Sequence, residues 1–399
     1  MHRILILALF FLGIFLQAGT YGLTFLLPKL FSEFGANEIA VGRMLLITTV
    51  VTLLSVYFSG HLSDKLGRVN ALGLSGFSIA AALWLFATSD NTGIQLIVAS
   101  ALLGFGWGVY YTLGPVVLTR ITQPAQRVRY FSIMSVFIMA GFGLSPVMAS
   151  MFENAGLSVA FSFKLMSVVC LISGLIFFIL SRPIRSLALD QSPESKSGLE
   201  LKVLRQIFQS RGLVPIIMVC IGASVFAGMN NFQTVFAENR NLQYADFFLA
   251  YTITVIVCRL LTAGFNGGKS PYAIIALLQY VMAASIFLFL LMPNTTPMYV
   301  LVAILFGIGY GASYPILAAM AANDADHDIV PQTLQVFALT YFIGIFGFPM
   351  IAGWIIVKVE VSYLLILIGV MAIIEATMAL FRYIEHKKLE VDSKDIATT

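Results

Sequence analysis

The chain has 399 residues, of which 59% are apolar and only 11% are charged, and its formal net charge is +4. Because charged residues make up about a quarter of an ordinary soluble domain, this composition excludes a soluble enzyme and is typical of a protein embedded in a lipid bilayer. The three cysteines and four histidines have no metal-ligand or redox spacing, and no phosphate-binding loop or nucleophile with a nearby base is present. The sequence therefore predicts no metal, no cofactor and no enzymatic activity.

Long apolar runs divide the chain into membrane spans. A helix needs about 20 residues to cross the hydrocarbon core of a bilayer. Runs of that length predict twelve spans, at residues 4–27, 41–61, 70–88, 93–118, 130–151, 159–181, 213–236, 244–264, 272–292, 297–320, 332–356 and 361–381. The first run is too long for a secretory signal peptide and eleven more follow it, so we interpret it as the first span. The prediction is an all-α, multi-pass membrane protein.

The distribution of basic residues predicts how the chain is oriented. With the N-terminus inside, the inner segments and helix ends carry 17 lysines and arginines and the outer ones carry five, with Arg259 left inside the eighth span. Since basic residues favour the cytoplasmic side, both termini are predicted to be cytoplasmic, with the chain in the cell inner (plasma) membrane. The positive net charge thus reflects topology, and a nucleic-acid partner is not expected.

The longest polar stretch, residues 182–211, separates two halves of six spans each. Its second part places Leu201, Leu204, Ile207 and Phe208 on one helical face, which predicts a helix lying in the headgroup region. The predicted domains are a six-helix bundle at 1–181, the linker at 182–211, a second six-helix bundle at 212–383 and a cytoplasmic tail at 384–399.

A sequence repeat indicates that the two halves arose by duplication. Residues 104–111 of span four, GFGWGVYY, match residues 307–314 of span ten, GIGYGASY, at an offset of 203, and the same offset relates Pro146 to Pro349. Halves related in this way are predicted to meet around a central site at the bilayer midplane and to move against each other. The glycines of these segments allow close helix packing.

The most specific motif lies between spans two and three, where residues 60–68 read GHLSDKLGR. Its spacing resembles the loop motif of the major facilitator superfamily at Gly60, Asp64, Lys65, Gly67 and Arg68. The resemblance extends over essentially the whole chain, through the twelve spans, the duplicated halves and the long central loop, and the drug and sugar efflux branch is the one that the chain resembles. It implies the major facilitator fold, two pseudo-symmetric six-helix bundles that move a small-molecule solute by alternating access.

Asp64 is the residue on which a gating interpretation of this loop depends. It lies at the C-terminal end of its helix, where the helix dipole disfavours a lone carboxylate, so it needs a partner. The family resemblance implies that this partner is the N-terminus of span eleven, near Pro331, with an arginine of the four-to-five loop: Arg120, Arg127 or Arg129. Such a latch would hold the cytoplasmic side closed, and the alternative is a solvated turn. The matching loop of the second half, residues 264–269, lacks the aspartate and the final arginine.

Three further positions bear on coupling and direction. Ser100 stands where proton-linked members of the family carry an arginine in span four, which puts proton coupling through that position in doubt. In span five, residues 141–150 keep small residues where exporters have glycines, which favours export. Glu375 is the only carboxylate well inside a span, and we expect a structural role, at a lipid edge or paired with Arg382, rather than proton transfer. Coupling to protons or to another ion, and uniport, stay open.

Polar and aromatic residues inside the spans are the candidates for a substrate cavity, since such groups tend to face a bundle interior or a water-filled cavity. The candidates are Gln17, Thr20, Tyr21, Thr24, Tyr110, Tyr111, Asn230, Asn231, Gln233, Tyr310, Tyr314 and Tyr341. Aromatic rings with a polar edge suit an amphipathic or cationic guest. The alternative for any one ring is helix packing or interfacial anchoring. Arg259, near the cytoplasmic end of span eight, is expected to pair structurally.

Together these features predict a secondary transporter that exports a small amphipathic or polar organic solute such as a drug, sugar or metallophore. An importer, symporter or uniporter is the alternative within transport, and a lipid flippase with a lateral opening is a further one. A sensor or scaffold that kept the fold is disfavoured because the gating motif is intact. The expected partners are the solute, membrane lipids and protons or another coupling ion, and the expected state is a monomer.

Overall fold

The computed structural model describes residues 3–123, 126–187, 201–262, 270–292 and 294–398, and these residues form helices and connections without a β-strand. Twelve helical segments among them are long and apolar enough to cross a membrane. The predicted all-α fold and its twelve spans are therefore confirmed. Most of the polar linker, residues 188–200, and the second-half loop at 264–269 lie outside the described residues.

Six spans and one short helix make up the first half. The helices are α1 (Arg3–Thr24), α2 (Leu27–Ser32), α3 (Glu38–Leu66), α4 (Arg68–Ala87), α5 (Ile94–Ile121), α6 (Arg127–Asn154) and α7 (Val159–Leu187). All of these except α2 are spans. After them, α8 (Leu201–Gln209) lies in the linker region, with Ile207 buried and Phe208 exposed.

The second half repeats this order. Its helices are α9 (Leu213–Asn231), α10 (Gln233–Glu238), α11 (Tyr244–Leu261), α12 (Pro271–Leu291), α13 (Thr296–Asn323), α14 (Val330–Phe342), α15 (Phe348–Lys358) and α16 (Val361–Thr398). A π-helical turn, Ile343–Gly347, joins α14 to α15, and the three together form the eleventh span.

Interruptions make three spans differ from the predicted continuous helices. The first and seventh spans end early, at Thr24 and Asn231, and each is followed by a short helix, α2 or α10. Pro28 in the first turn of α2 has no N–H with which to continue the hydrogen bonding of α1. In the eleventh span the π-helical turn precedes Pro349, whose missing N–H removes one helical hydrogen bond.

The two halves pack in the same way, as the sequence repeat predicts. In the first half α4 packs on α5 and α7, α5 on α3, and α1 on α6 and α7. In the second half α12 packs on α13 and α16, α13 on α11, and α9 on the eleventh span and α16. The repeated glycines serve this packing: a Cβ on Gly104 would lie 2.5 Å from the carbonyl oxygen of Thr48, and one on Gly309 would lie 2.6 Å from the Cβ of Met282.

The halves meet through two equivalent helix pairs, α6 with α11 and α3 with the eleventh span. Because the number of spans is even, α1 begins and α16 leaves the bundle at the same end. We call the end that holds Arg3, Leu66 and Arg382 the terminal face, and the end that holds Leu27, Glu38 and Lys358 the opposite face.

Candidate functional site

Six tyrosines lie where helices of the two halves converge, and we call them the central tyrosines: Tyr21, Tyr111, Tyr251, Tyr310, Tyr314 and Tyr341. The hydroxyls of Tyr310 and Tyr341 lie 3.1 Å apart. The ring centroids of Tyr314 and Tyr341 are 5.0 Å apart, and those of Tyr251 and Tyr310 are 6.4 Å apart. The tyrosines of α11, α13 and α14 thus form one contiguous group in the second half.

Two phenylalanines of the eleventh span connect this group to the tyrosines of the first half. The ring of Phe346 lies 5.6 Å from that of Tyr21, and the ring of Phe342 lies 5.3 Å from that of Tyr111, both edge to face. Phe346 belongs to the π-helical turn and Phe342 is the last residue of α14. The interrupted part of the eleventh span therefore carries two of the aromatic contacts between the halves, each worth about 0.5–1.5 kcal/mol beyond its buried area.

Several polar atoms in this region are buried and unsatisfied: Trp107 Nε1, Asn230 Oδ1 and Tyr251 OH have no hydrogen-bond partner, and Tyr21 OH lies beside the amide of Asn231 without a well-formed hydrogen bond. The two asparagines use their amide nitrogens to bond the carbonyl oxygens of Phe226 and Ala227 in their own helix, at 2.9 and 3.1 Å. Phe226, one turn before Asn230, stacks on Tyr310 at 4.4 Å, so this face of α9 reaches the central tyrosines. Since most buried polar atoms are paired, a group of unpaired ones is suited to hydrogen-bond a solute.

Arg259 of α11 is a buried cation beside the same group. Arg259 is 9% exposed. One of its guanidinium nitrogens donates a hydrogen bond to the hydroxyl of Ser135 in α6, and its Nε has no hydrogen-bond partner. Within the described part of the chain no carboxylate pairs with it. The sequence predicts a structural pairing for Arg259. In the structure this pairing is the hydrogen bond to Ser135, which joins the two halves. The charge of Arg259 interacts with the hydroxyls of four central tyrosines: Tyr111, Tyr251, Tyr310 and Tyr314.

Some predicted cavity residues face the interior of the first half. Gln17 donates to the hydroxyl of Ser75 at 2.7 Å and accepts a hydrogen bond from Ser173 at 3.4 Å, and Tyr110 donates to a carbonyl oxygen of α1 at 2.9 Å. The hydroxyls of Thr20 and Thr24 bond carbonyl oxygens of their own helix. These side chains are satisfied within one bundle, and the structure does not bring them into the group of central tyrosines.

Gln233 in the second half bonds within its own bundle through its amide nitrogen, whereas its Oε1 is buried without a partner. It is the first residue of α10, close to the opposite face, and its amide nitrogen donates to the hydroxyl of Tyr299 at 2.5 Å. Gln233 therefore lies on a different helix from Asn230 and Asn231, with which the sequence grouped it.

At the opposite face the two halves are bound together through Glu153 of α6. Lys29 forms an ion pair with one carboxylate oxygen of Glu153 at 2.6 Å, and the hydroxyl of Tyr244, from the second half, donates to the other oxygen. The Lys29 ammonium also lies 5.3 Å from the centre of the Tyr244 ring. We call these three residues the opposite-face lock.

The approach of α3 to the eleventh span closes the same side. A Cβ on Gly353 would overlap the Glu38 carbonyl oxygen, and one on Gly42 would lie 2.7 Å from the Pro349 carbonyl oxygen. These contacts lie in the part of α3 nearer to the opposite face. Here only glycine permits the two backbones to come so close.

The loop motif occupies the terminal face. Gly67 joins α3 directly to α4, and its φ of 80° explains why this position needs glycine. Asp64 is exposed and makes no hydrogen bond or ion pair with another described side chain. A Cβ on Gly60 would meet nothing within 4 Å. Among the described side chains, Asp64 thus does not make the contact with span eleven that the resemblance implies.

A cavity of about 300 Å³ lies beside the loop, within the first half. Asp64 lines it together with three arginines, Arg68, Arg120 and Arg185. Arg120 is one of the three arginines that the resemblance implies as partners for Asp64. Arg185, in α7, is not one of them. A Cβ on Gly67 would lie 2.6 Å from a guanidinium nitrogen of Arg185, so α7 adds a cation to the motif that sequence spacing does not reveal.

Glu375 in α16 is fully buried, and neither of its carboxylate oxygens has a hydrogen-bond partner. It packs on the backbone of α9, where a Cβ on Gly222 would lie 2.9 Å from one oxygen. Arg382 instead pairs with Glu385 at 2.6 Å and with Asp324 at 3.9 Å. The expectation of a lipid-edge position or a pairing with Arg382 is therefore wrong, because the side chain turns inward, between two helices.

Sequence reasoning missed Tyr251 and underestimated Arg259. Both belong to a buried stripe of α11 with Val255 between them, at the i, i+4, i+8 spacing of one helical face. That spacing was available in the sequence, but the rest of α11 is so apolar that the periodicity does not stand out. The part of the chain with described side chains contains no group of three or more residues suited to hold a metal ion.

Comparison with known proteins places this geometry in a family. The family model of the Major Facilitator Superfamily matches residues 9–347. An uncharacterised MFS-type transporter, YqjV of Bacillus subtilis (strain 168), is 22% identical over 302 residues, 73% of this chain and 72% of that protein. The crystal structure of the nucleoside transporter NupG aligns with a TM-score of 0.77 at 15% identity, covering 94% of this chain and 98% of that one. That of the human organic anion transporter MFSD10 aligns with a TM-score of 0.64 at 15% identity, covering 95% and 100%. The chain belongs to the major facilitator superfamily and is a membrane transporter of that kind.

Proposed function

We propose that the protein moves a small organic solute past the central tyrosines by alternating access of its two halves, residues 1–181 and 212–383. The observation that carries this proposal is the group of unpaired polar atoms and the buried Arg259 at the meeting surface of the duplicated bundles. Such groups are costly inside a membrane, and a bound solute would restore the hydrogen bonds that burial removes. Membership of the superfamily supports transport as the class of function.

The conformation supports the same mechanism as an inward-facing state. The opposite-face lock and the approach of α3 to the eleventh span join the halves on one side. On the other side Asp64 lacks a partner among the described side chains and Gly60 faces open space, while Tyr111 and Tyr314 are only partly buried. The excess of basic residues favours the terminal face as the cytoplasmic one, with both termini there and the chain in the cell inner membrane.

Export is the direction that we favour, with an importer, symporter or uniporter as the alternative. The small-residue segment 141–150 of α6 supports this, because it forms part of the contact between the halves. A Cβ on Gly143 would overlap the side chain of Thr252 in α11, in the other half, whereas Gly141 packs on α1 within the first half. The segment is thus placed where the two bundles move against each other. The nucleoside and organic anion transporters of the same fold differ in solute, so the class of solute must come from the site itself.

Purified protein in liposomes tests this function. With a pH-sensitive dye inside and a panel of nucleosides, sugars, carboxylates and cationic dyes outside, we expect solute uptake for one class, and a dye response if protons are coupled. Tyr341→Phe removes a hydroxyl that we expect to bond the solute, and since one hydrogen bond contributes about 1 kcal/mol, we expect binding of the solute to weaken by roughly fivefold.

Tyr363→Phe is the matched control, because Tyr363 is exposed in the last span, away from the central tyrosines. The control should transport like the unmodified protein. If wild-type protein in liposomes takes up no solute above the level of empty liposomes, the proposed function is wrong.

A further inference from the structure

We propose that the solute is an organic anion and that Arg259 binds its carboxylate or similar oxyanion, with the central tyrosines around its apolar body. This inference rests on the proposed transport function and adds the chemical class of the solute. It replaces the cationic guest that the aromatic residues by themselves favoured, because a fixed positive charge beside the rings repels a cation.

The first argument is the unbalanced charge of Arg259. A guanidinium stays protonated in proteins and carries five N–H donors in a planar fork, which matches a carboxylate with two parallel hydrogen bonds. In this structure one nitrogen bonds Ser135 and the Nε has no partner, although the residue is more than nine-tenths buried. A buried cation normally has an anionic partner. The protein itself supplies none at this position among the described residues.

The second argument is the composition of the helices around Arg259. The acidic residues of α6 and α11, Glu153 and Asp246, lie at the opposite face, and α13, which packs on α11, contains no acidic residue. At the terminal face α13 is followed by Asp324, which accepts a hydrogen bond from Tyr272 and pairs with Arg382, and by the exposed Asp326 and Asp328. Glu375 acts electrostatically on Tyr310, but it lies on α16 and packs against α9, on a different helix pair. The surroundings of Arg259 are therefore hydroxyl groups and rings, which leave its charge uncompensated and donate hydrogen bonds to an anion.

The third argument is access. Arg259 lies near the terminal end of α11, and Tyr314, whose hydroxyl interacts with its charge, is partly exposed. Tyr251 and Tyr310 of the same group are buried deeper. An anion entering from the terminal face would thus meet Arg259 before the buried tyrosines, and its apolar part would contact the rings.

A charge-selective labelling experiment tests the inference without knowledge of the natural solute. Tyr314→Cys is introduced into protein whose own cysteines, Cys170, Cys220 and Cys258, are alanine. The purified variant in detergent is treated with the sulfonate reagent MTSES or with the ammonium reagent MTSET, and the rate of labelling of the cysteine is measured. We expect MTSES to react faster than MTSET. The ratio of the MTSES rate to the MTSET rate should fall by about tenfold or more in Arg259→Gln, since the site is shielded from water.

Two controls accompany the labelling. Arg259→Lys should keep the preference for MTSES, which separates loss of charge from loss of structure. Arg43→Gln, an exposed arginine of α3, should leave the rate ratio unchanged. An equal ratio with and without the Arg259 charge would overturn the inference.

Solute binding provides the second test. Trp107, beside Tyr21 and Tyr111, reports on the site once Trp84 and Trp354 are replaced by phenylalanine. Cyclohexanecarboxylate, its amide and cyclohexylamine share a ring and differ in charge. We expect the acid to change Trp107 fluorescence with an affinity at least about tenfold above that of the other two, and Arg259→Gln to remove this preference.

The outcomes separate the two proposals. Equal or better binding of the amine or the amide, or no binding of the acid, contradicts the anion site. Carboxylate binding that depends on Arg259, together with no uptake of any carboxylate into liposomes, would instead contradict transport and leave the anion site in place.

Discussion

At the scale of single residues, the partner of a buried polar group decides its role. Gln17 and Glu375 are both fully buried inside spans. Gln17 is hydrogen-bonded to Ser75 and Ser173, as expected of a group that joins helices within one bundle. Glu375 has no partner for either oxygen. A carboxylate charge buried in this way would cost several kcal/mol, so the two residues cannot have the same function.

The substitution Glu375→Gln tests how this carboxylate is accommodated. Glutamine keeps the shape of the side chain and carries no charge, so we expect the free energy of unfolding to stay within about 1 kcal/mol of the wild-type value, whereas Glu375→Lys should lose several kcal/mol. Thermal unfolding of the purified protein in detergent measures both. Glu385→Gln, at an exposed ion pair, is the control. If Glu375→Gln lowered the free energy of unfolding as much as Glu375→Lys, the charge of Glu375 itself would be needed for folding.

At the scale of elements, the ends and interruptions of helices carry the features that relate to gating. Gly67 turns α3 into α4 without a loop and leaves Asp64 in the last turn of α3, where the helix dipole disfavours its charge. The π-helical turn of the eleventh span presents Phe346 to Tyr21. Both features interrupt regular helical hydrogen bonding, the first inside the first half at the terminal face and the second where the two halves meet.

Asp64→Asn is expected to slow transport without affecting folding. Asp64 is exposed and has no described partner here, so its replacement should leave the melting temperature unchanged or raise it slightly, by removing a charge that the helix dipole disfavours. If Asp64 forms the proposed latch with span eleven in the other state, losing a charged hydrogen bond of about 1.5–3 kcal/mol should reduce the transport rate by about tenfold or more.

Initial rates in liposomes at matched protein density measure this effect. Asp90→Asn, an exposed aspartate between α4 and α5, serves as control. Transport by Asp64→Asn at the wild-type rate would rule out the latch and favour the alternative of a solvated turn.

At the scale of the whole molecule, the contacts between the two halves differ between the opposite face and the terminal face. The opposite face has the lock formed by Lys29, Glu153 and Tyr244, and the close backbone contacts of Gly42 and Gly353. At the terminal face Asp64 of the loop motif has no partner among the described side chains. Close glycine packing such as that of Gly104 and Gly309 holds each half together, so the two halves can rock as rigid bodies while the contacts between them, including those of Gly42 and Gly353, break and form.

Glu153→Gln should weaken the opposite-face lock and favour the state that is open on that side. The variant loses the ion pair with Lys29 and the charge that accepts a hydrogen bond from Tyr244. The pair is partly exposed, so we expect a shift of about 1–2 kcal/mol in the equilibrium between the two states. Labelling of Tyr314→Cys, accessible from the terminal face, should become slower, and Glu33→Gln at the exposed end of α2 should have no effect. Faster labelling in Glu153→Gln would contradict the role of the lock.

The sequence alone was sufficient for the fold and for part of the candidate site. The number of spans follows from local hydropathy and length, and the relation between the halves follows from the repeat of residues 104–111 at 307–314. Both properties can be read from short segments without knowledge of their neighbours. Tyr21, Tyr111, Tyr310, Tyr314 and Tyr341 were predicted for the cavity because polar groups in spans tend to face a bundle interior or a cavity. The structure brings these residues together between the halves, and their contact with a solute stays a prediction.

Only the tertiary structure decided which side chains turn toward the other half. Gln17 and Tyr110 bond within the first bundle, whereas Tyr251 and Arg259 lie at the meeting surface. In an almost uniformly apolar helix the rotation about its own axis is set by packing against all neighbouring helices, because the sequence has little polar contrast to mark the inner face. The same reason places Glu375 between α9 and α16, since the space over Gly222 that receives its carboxylate exists only after the helices have assembled.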